Sequence, residues 1–414
     1  MGKIKTSILL LLGSFSVALA AAYKIPEQSN RSLGTAAAYF AGADSADAAY
    51  YNPANMSWIK EKDKVLVEIG SRYIYLPRIS FTGKALDPVM GIFVLSDAKS
   101  KREYFLVPYF HMVLPTKNNI RFGLSFTTPA GLSKRWTAKI PRSLAEEFTL
   151  KVFEFDTVAS LKVSDRLSIG GGIRTVYSEG QIKYQYPDVY SIDMNGKTDY
   201  RFGYLLSLSV KPTENLTIST LYRSKVNLKV IGDAKGYLLI PTPIPAIYPI
   251  STRGRVQVPL PAEWRLGASY KWKKTKFELT YEKTFWHKYE NLNFNFKDPI
   301  VENALGKNIE KKWEDSHTIR FGVIHQFNST FTGMAGIAYD TTPIPEKTLG
   351  FELPDSDGWI FSLGGIYKIT ENTNIGFSYL YFTKYERNIF NKKIEGKFSD
   401  LSAHLFNISL EHKF

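Results

Sequence analysis

The stretch "RFGYLLSLSVKP", residues 201–212, alternates between apolar side chains and small or polar ones. One face carries Phe202, Tyr204, Leu206, Leu208 and Val210, and the other carries Arg201, Gly203, Ser207 and Ser209. A period of two residues is that of a β-strand whose two faces meet different surroundings. The stretch therefore predicts a strand with one apolar face and one polar face.

The same alternation recurs along the chain, for example in "RLGASYKW" (265–272), "KFELTYE" (276–282) and "SHTIRFGVIHQF" (316–327). Short polar turns interrupt it at residues 115–119, 163–166, 211–215, 273–275, 327–330 and 369–373. Six short turns on one side imply about seven hairpins and hence roughly 14 strands. We place the strand centres near residues 72, 109, 124, 156, 173, 205, 223, 264, 281, 322, 336, 363, 379 and 408.

The composition narrows the class of protein. Aromatic residues make up 14% of the chain and there is no cysteine, which excludes disulfides and thiolate metal ligands. Beyond the first 20 residues, no window supplies the roughly 18 apolar residues of a transmembrane helix. Weak hydropathy with aromatic, alternating strands is typical of an all-β transmembrane antiparallel barrel. The net charge of +14 would suit an anionic membrane surface, and without a nucleic-acid-binding motif we expect no nucleic acid partner.

Both ends of the chain carry export signals. Lys3 and Lys5 precede an apolar run that ends in Ala18-Leu19-Ala20, which predicts a signal peptide over residues 1–20. The final stretch "LFNISLEHKF" alternates and closes on Phe414, which resembles the signal read by the outer-membrane barrel assembly machinery. We therefore predict a protein of the bacterial outer membrane whose partners are that machinery and the surrounding lipid and lipopolysaccharide.

One early segment does not fit the barrel pattern. "SLGTAAAYFAGADSADAAYYNPANMSWI" (32–59) is rich in alanine, glycine and small polar residues, which allow tight turns in a confined space. A barrel of about 14 strands leaves an open lumen unless something fills it. We therefore expect an N-terminal hatch, or plug, over residues 21–62 inside a barrel formed by residues 63–414.

Several segments, in order, resemble the FadL/TodX-type outer-membrane transporters of long-chain fatty acids and aromatic hydrocarbons. They are residues 23–59, "VPYFHMVLP" (107–115), "FTTPAGLSKRW" (126–136), "LPAEWRLGASYKW" (260–272) and residues 339–369. The resemblance implies a 14-stranded barrel with a hatch and passive uptake of a hydrophobic small-molecule substrate. It also implies that the cargo leaves sideways through a gap at a kink in the third strand.

The resemblance also suggests roles for particular residues. Asn52, Pro53 and Ala54 match the hatch motif, while Pro129 and Gly131 match the kink that forms the lateral gate. From the residues alone, Pro129 cannot donate a ladder hydrogen bond and Gly131 tolerates irregular dihedral angles, so strand pairing should fail there. The same two residues could instead begin an outer loop.

Two features bear on the substrate. The outer loop "YLLIPTPIPAIYPI" (237–250) is unusually apolar and is either a landing surface for ligands or a proline-stiffened lid. Its candidate ligand-binding residues are Leu238, Leu239, Ile240, Ile244, Ile247 and Tyr248. Inward arginines such as Arg174 could bind a carboxylate or pair with inward carboxylates such as Glu154. Tyr184, beside Lys183, stands where the resemblance places a carboxylate-binding arginine.

Other functions find less support. The six histidines show neither metal spacing nor a nucleophile elbow, so we expect no catalysis, no metal and no cofactor. A cationic lumen would suit a general or anion-selective porin, and long outer loops would suit a surface receptor or adhesin. The hatch argues against a porin, and the loops carry no repeats. We predict passive uptake of hydrophobic compounds, either long-chain fatty acids or aromatic hydrocarbons.

Overall fold

The computed structural model describes residues 22–240, 243 and 245–414, so the predicted signal peptide lies outside the described residues. The helices are α1 (Asn30–Gly34), α2 (Ala48–Tyr51), α3 (Lys139–Ala145) and α4 (Pro299–Leu305), with 3-10 turns at Pro53–Trp58, Trp286–Lys288 and Glu346–Thr348. The strands are β1 (Leu66–Leu76), β2 (Ser80–Leu86), β3 (Phe93–Leu95), β4 (Ala98–Lys99), β5 (Glu103–Val113), β6 (Ile120–Arg135), β7 (Glu147–Lys162), β8 (Leu167–Tyr186), β9 (Tyr190–Lys197), β10 (Arg201–Thr213), β11 (Leu216–Arg223), β12 (Val226–Ile240), β13 (Ala246–Leu260), β14 (Glu263–Trp272), β15 (Thr275–Thr284), β16 (Asn291–Phe296), β17 (Lys307–Glu310), β18 (Ser316–Gln326), β19 (Phe331–Asp340), β20 (Gly358–Lys368), β21 (Thr373–Lys384), β22 (Arg387–Phe390), β23 (Ile394–Ser399) and β24 (Ser402–Lys413). None of the described helices is long and apolar enough to cross a membrane.

The wall is a closed antiparallel barrel of 14 strands. In order around the barrel they are β1, β5, β6, β7, β8, β10, β11, β14, β15, β18, β19, β20, β21 and β24. The barrel closes because β1 pairs with β5 on one side and with β24 on the other. Every predicted strand centre lies in one of these strands, and the six predicted short turns join consecutive pairs at one end of the barrel. The predicted strand number and fold class are confirmed.

The two faces of the wall differ as the alternation predicts. On β10, Phe202 is 69% and Leu206 59% exposed, whereas Ser207 is 6% exposed and Ser209 is fully buried. The outward apolar face suits lipid, and the inward polar face makes hydrogen bonds inside the lumen.

At the end opposite the short turns, additional strands extend the wall. β12 and β13 form a long hairpin, flanked by β9 on one side and β16 on the other. A second, five-stranded sheet contains β22, β23, β2, β3 and β4. The prediction of a loop over residues 237–250 was wrong at both ends, because residues 237–240 pair with residues 246–249 as strands. The many prolines had suggested a break in pairing.

Residues 22–59 lie inside the barrel and are almost entirely buried. Their hydrogen-bond partners come from strands all round the wall, including β5, β10, β15, β18 and β24. Close approach needs glycine in the wall: a Cβ at Gly170 would lie 2.4 Å from the Ala54 backbone nitrogen, and one at Gly336 would lie 2.1 Å from the Thr35 carbonyl carbon. Small residues on both surfaces therefore allow the inner segment and the wall to pack tightly.

Candidate functional site

Asn52, Pro53 and Ala54 lie where the inner segment meets β8 and β10. Asn52 Nδ2 donates to Ser209 Oγ at 3.0 Å, and the Ala54 amide donates to Ser207 Oγ at 2.9 Å. Pro53 begins the 3-10 turn Pro53–Trp58, a position where its missing N–H costs nothing. This tripeptide thus fixes the inner segment to inward serines that the alternation pattern places on the lumen face.

Ion pairs hold the start of the inner segment to β14 and β15. Lys24 Nζ lies 2.5 Å from a Glu263 carboxylate oxygen and 2.7 Å from one of Glu282. Arg265 contacts the same two carboxylates, and all four side chains are at least nine-tenths buried. Removing one member would leave this buried network with an uncompensated charge, which is strongly destabilising.

The wall has a gap between β5 and β6, which we call the window. Only four ladder pairs join these strands, ending at Phe110 and Phe126. The strands meet again at the far end, where Ser100 bridges to Trp136. Within the described chain no other ladder pair joins them. Beside the Ser100–Trp136 bridge the Lys101 amide donates to the Arg135 carbonyl at 2.9 Å, and a side-chain bond from Ser133 to Glu103 also crosses the gap. The window is therefore a stretch of wall without backbone pairing.

Pro129 and Gly131 lie at the edge of the window. The register of β6 against β7 shifts between Thr127 and Ala130, which marks an irregularity in the strand. From inside, the Ile25 amide donates to the Pro129 carbonyl at 2.8 Å, and the Gly131 amide donates to the Tyr23 carbonyl at 2.8 Å. The start of the inner segment thus satisfies backbone groups of β6 that β5 leaves unpaired.

Gln28 is a residue of the window that the sequence analysis did not single out. Its side-chain amide donates to the Thr128 carbonyl at 2.8 Å, and its Oε1 accepts from the Thr128 amide at 3.2 Å. Arg72 on β1 donates to the same Oε1 at 2.9 Å. One side chain therefore takes the place of a missing strand neighbour. In the sequence, the adjacent polar residues Glu27 and Gln28, just before the small-residue stretch 32–59, could have indicated this role.

Beside the kink of β6 is an apolar cavity of about 620 Å³ including open space, which we call the inner cavity. It is lined by Tyr23, Leu132, Phe148, Thr149, Leu150, Gly180, Ile182, Met194, Val230, Val256, Val258, Tyr289, Leu292, Lys311, Trp313, Glu352 and Leu353. Two of these residues place the cavity beside the kink. Tyr23 precedes Lys24 in the inner segment, and Leu132 follows Gly131 on β6.

A larger space, the outer cavity, adjoins the inner one on the side of the outer loops. It measures about 1390 Å³ including open space, and it shares Phe148, Leu292, Lys311 and Glu352 with the inner cavity. Lys311 is 3% exposed and forms an ion pair with Glu352. Burial alone would raise the pKa of Glu352, but the Lys311 ammonium holds that pKa below its ordinary value of 4.5. A fixed ion pair therefore lies where the two cavities meet.

The candidate ligand-binding residues of segment 237–250 lie near the tip of the β12–β13 hairpin. Leu238, Leu239 and Ile240 are half-buried on β12, and Ile247 on β13 is 71% exposed. The Tyr248 hydroxyl donates to Asp298 at 2.8 Å. Ile244 lies outside the described residues. The base of the hairpin, not its tip, lines the inner cavity.

The three candidate carboxylate-binding residues are dispersed. Arg174 is buried and makes two bonds to Glu154, at 3.1 and 2.7 Å. Lys183 pairs with Asp193 at 3.0 Å on the opposite face of β8 from the inner cavity. Tyr184 lines the outer cavity, its ring 6.1 Å from that of Phe294. The geometry agrees with the ion-pair alternative for Arg174 and puts only Tyr184 at a cavity.

Phe414 ends the chain on the outward face, 70% exposed, with its amide bonded to the Val65 carbonyl at 3.0 Å. Among the residues that the structure describes, no group of three or more His, Asp or Glu side chains is arranged to hold a metal ion. The inner cavity offers binding through apolar contact, with the Lys311–Glu352 pair as its charged element.

Comparison with known proteins agrees with this architecture. A family described as "Outer membrane protein transport protein (OMPP1/FadL/TodX)" matches residues 11–414. The "47 kDa outer membrane protein" of Pasteurella multocida is 26% identical, covering 99% of this chain and 97% of that protein. The "Long-chain fatty acid transport protein" of Salmonella typhi is 23% identical, covering 96% and 95%.

Solved structures show the same fold. A Pseudomonas aeruginosa FadL homologue superposes with a TM-score of 0.79 at 18% identity, covering 94% of this chain and 99% of its own. The Pseudomonas putida toluene transporter TodX superposes with a TM-score of 0.71 at 15% identity, covering 94% and 98%.

Proposed function

This chain belongs to the OMPP1/FadL/TodX family of outer-membrane transport proteins, and we propose that it carries hydrophobic compounds passively across that membrane and releases them sideways through the barrel wall. The observation that carries this proposal is the position of the inner cavity. Its lining residues Tyr23 and Leu132 adjoin the kink at the window, so an apolar site and a gap in the wall are neighbours.

A sideways exit suits an apolar cargo for energetic reasons. Each methylene group gains about 0.8 kcal/mol on leaving water for an apolar medium. Release from the inner cavity into the aqueous periplasm would forfeit that gain, whereas release into the lipid around the barrel retains it. A gap at membrane depth therefore removes the largest barrier to the passage of such a molecule, and no coupled energy source is required.

The cargo we propose is a long-chain fatty acid or an aromatic hydrocarbon. Relatives are named for transport of long-chain fatty acids, and structural neighbours for transport of toluene. The wall of the inner cavity is largely aliphatic and aromatic, which suits the apolar part of either compound. We assign no catalytic step, metal or cofactor to this passage.

We propose that residues 21–62 act as a hatch. Asn52, Pro53 and Ala54 would anchor it to β8 and β10, and Pro129 and Gly131 would keep the lateral gate free of regular pairing. The exposed tip of the β12–β13 hairpin, with Ile247, would collect apolar molecules from the surface. The bonds from Ile25 and Gln28 to β6 support this proposal, because they couple the inner segment to the gate.

The test is to close the window. The chain contains no cysteine, so Glu103→Cys with Ser133→Cys places the only two thiols on opposite sides of the gap. Cells lacking their own transporter would express this variant, and the initial uptake of labelled toluene and labelled palmitate would be measured. We expect wild-type protein to accelerate uptake of at least one compound. In the double variant, a short bis-methanethiosulfonate reagent, which joins the two thiols through disulfides and releases sulfinate, should abolish the gain until a reductant cleaves those disulfides.

Each single cysteine variant, treated with the same reagent, is the matched control and should retain uptake. If the cross-linked barrel transports as fast as the untreated one, the cargo does not leave through the window. If wild-type protein, shown folded in the outer membrane, accelerates neither compound, the proposed transport function is wrong.

A further inference from the structure

We propose that Glu352 determines the specificity of the inner cavity: by holding Lys311 in an ion pair, it leaves the cavity without a free cation and favours uncharged apolar cargo over carboxylates. This inference rests on the proposed transport function and names the class of cargo. It assigns to Glu352 a role that the sequence pattern does not suggest.

Few charged residues line the inner cavity. Of the described residues that line it, only Lys311 and Glu352 carry a charge, and they are bonded to each other. The pair is held in place, because the Thr348 hydroxyl donates to the Lys311 backbone carbonyl at 2.6 Å. Lys311 is 3% exposed, so its ammonium has little access to water. The ion pair is part of the cavity wall and has no net charge.

A carboxylate that enters this space loses its hydration and needs a cation in return. The cation within reach is already paired, and its partner would repel a second carboxylate. An alcohol, an alkane or an aromatic hydrocarbon pays far less for desolvation and gains the same apolar contacts. The inner cavity therefore disfavours the charged ligand, because Lys311 is already paired with Glu352.

Other lysines near the route do not change this conclusion. Lys347, Lys392 and Lys393 line the outer cavity and are exposed, so water and salt screen them. Lys134 is buried but lines a separate small cavity beside the ion pair of Lys384 with Asp355. These lysines can attract anions toward the protein, whereas the inner cavity decides which molecules stay.

The experiment compares two ligands with the same brominated 12-carbon chain, one with an uncharged and one with a charged head group. Full-length protein in amphipol would be titrated with 12-bromododecan-1-ol and with 12-bromododecanoate at about pH 8, where the carboxylic acid is ionised. Bromine quenches tryptophan fluorescence, and Trp313 lines the inner cavity. We expect wild-type protein to bind the alcohol at least about tenfold more tightly than the carboxylate. Trp313→Phe should remove most of the quenching by the alcohol.

Glu352→Gln frees Lys311 while preserving the shape of the side chain. We expect the affinity for the carboxylate to rise about tenfold, the scale of one charge-assisted hydrogen bond, and the affinity for the alcohol to stay within about twofold. The double variant Lys311→Met with Glu352→Gln keeps the cavity neutral and should lose that gain. Glu310→Gln is the matched control, since it breaks the neighbouring but exposed pair of Glu310 with Lys312.

Equal binding of both ligands to wild-type protein would overturn the inference, and so would an unchanged carboxylate affinity in folded Glu352→Gln. If that variant does not fold, the wild-type comparison and the double variant still decide, because the inference requires both to prefer the alcohol. A failure of the proposed transport function looks different: wild-type protein would then bind neither ligand, and cells would gain no uptake.

Discussion

Filling the inner cavity from Gly180 should weaken ligand binding in proportion to the carbon added. Gly180 lines this cavity on the same face of β8 as Ile182. A Cβ built there would meet the Thr149 carbonyl oxygen at 3.4 Å and Val230 at 3.6 Å, which are ordinary contacts. A larger side chain at this position can therefore extend into the cavity without first displacing the wall.

The magnitude follows from the space that the ligand loses. Each carbon added to the wall excludes about one methylene group of ligand, worth about 0.8 kcal/mol. Gly180→Ala should then weaken binding about fourfold, and Gly180→Leu, with four added carbons, by about 3 kcal/mol or roughly 200-fold. Gly180→Val should lie between them. A graded series distinguishes filling of the cavity from general disruption of the barrel, which need not follow carbon number.

The assay is titration of each variant with 12-bromododecan-1-ol, followed by uptake of labelled toluene in cells. Gln181→Leu adds a leucine to the opposite face of the same strand, where the Gln181 amide bonds to Asp193, and should leave binding unchanged. Thermal unfolding of each variant checks that the barrel is intact. If folded Gly180→Leu binds the alcohol as tightly as wild-type protein, the inner cavity is not the binding site.

Three further predictions concern the window, the ion pair and the lumen. Gln28→Ala removes two buried hydrogen bonds with Thr128, one to Ile25 and one from Arg72, about 4 kcal/mol at roughly 1 kcal/mol each, so amide exchange at residues 126–132 should accelerate roughly 1,000-fold. The exposed Gln326→Ala should not change this exchange, and unchanged exchange in Gln28→Ala would refute the role of Gln28. Because the folded pKa of Glu352 is below 4.5, the stability contributed by its pair with Lys311 is present above pH 4.5 and is lost as the pH falls through the folded pKa. Hydrogen exchange in residues 346–353, corrected for the intrinsic rate, should therefore stay constant from about pH 5 to 8 and increase only in more acidic solution. Protection lost near pH 6 would contradict this assignment. Because residues 22–59 fill the lumen, wild-type protein in a planar bilayer should show no large stable conductance, and steady porin-like currents would argue against a hatch.

The barrel was predictable because its strands are set by alternation. A lipid-facing and a lumen-facing side demand a strict period of two, as in residues 201–212, and polar turns mark the ends of the strands. Near the tip of the β12–β13 hairpin the sequence predicts a loop, because prolines usually break pairing. In the structure, residues 237–240 nevertheless pair with residues 246–249, so strand pairing overrides the local preference of the prolines for a loop.

The cavity and its ion pair could not be predicted in this way. Tyr23, Gly180 and Trp313 meet only when the barrel has closed around the inner segment, and no spacing in the sequence encodes that. Lys311 and Glu352 are 41 residues apart and lie outside the membrane-spanning strands, where no period constrains side-chain direction. The role of Gln28 could not be predicted either, because its partner Thr128 is 100 residues away in the sequence.

The contacts of the inner segment also constrain the order in which the protein can form. Asn30, near the start of the described chain, bonds to Ser378 and Asn407, which are 348 and 377 residues later. Arg31 forms an ion pair with Glu411 on β24, the strand that closes the barrel against β1. A segment synthesised before every strand of the barrel therefore finds its last partners only when β24 arrives. Seating of this segment and closure of the barrel become one cooperative event, and a chain truncated before β24 leaves both incomplete.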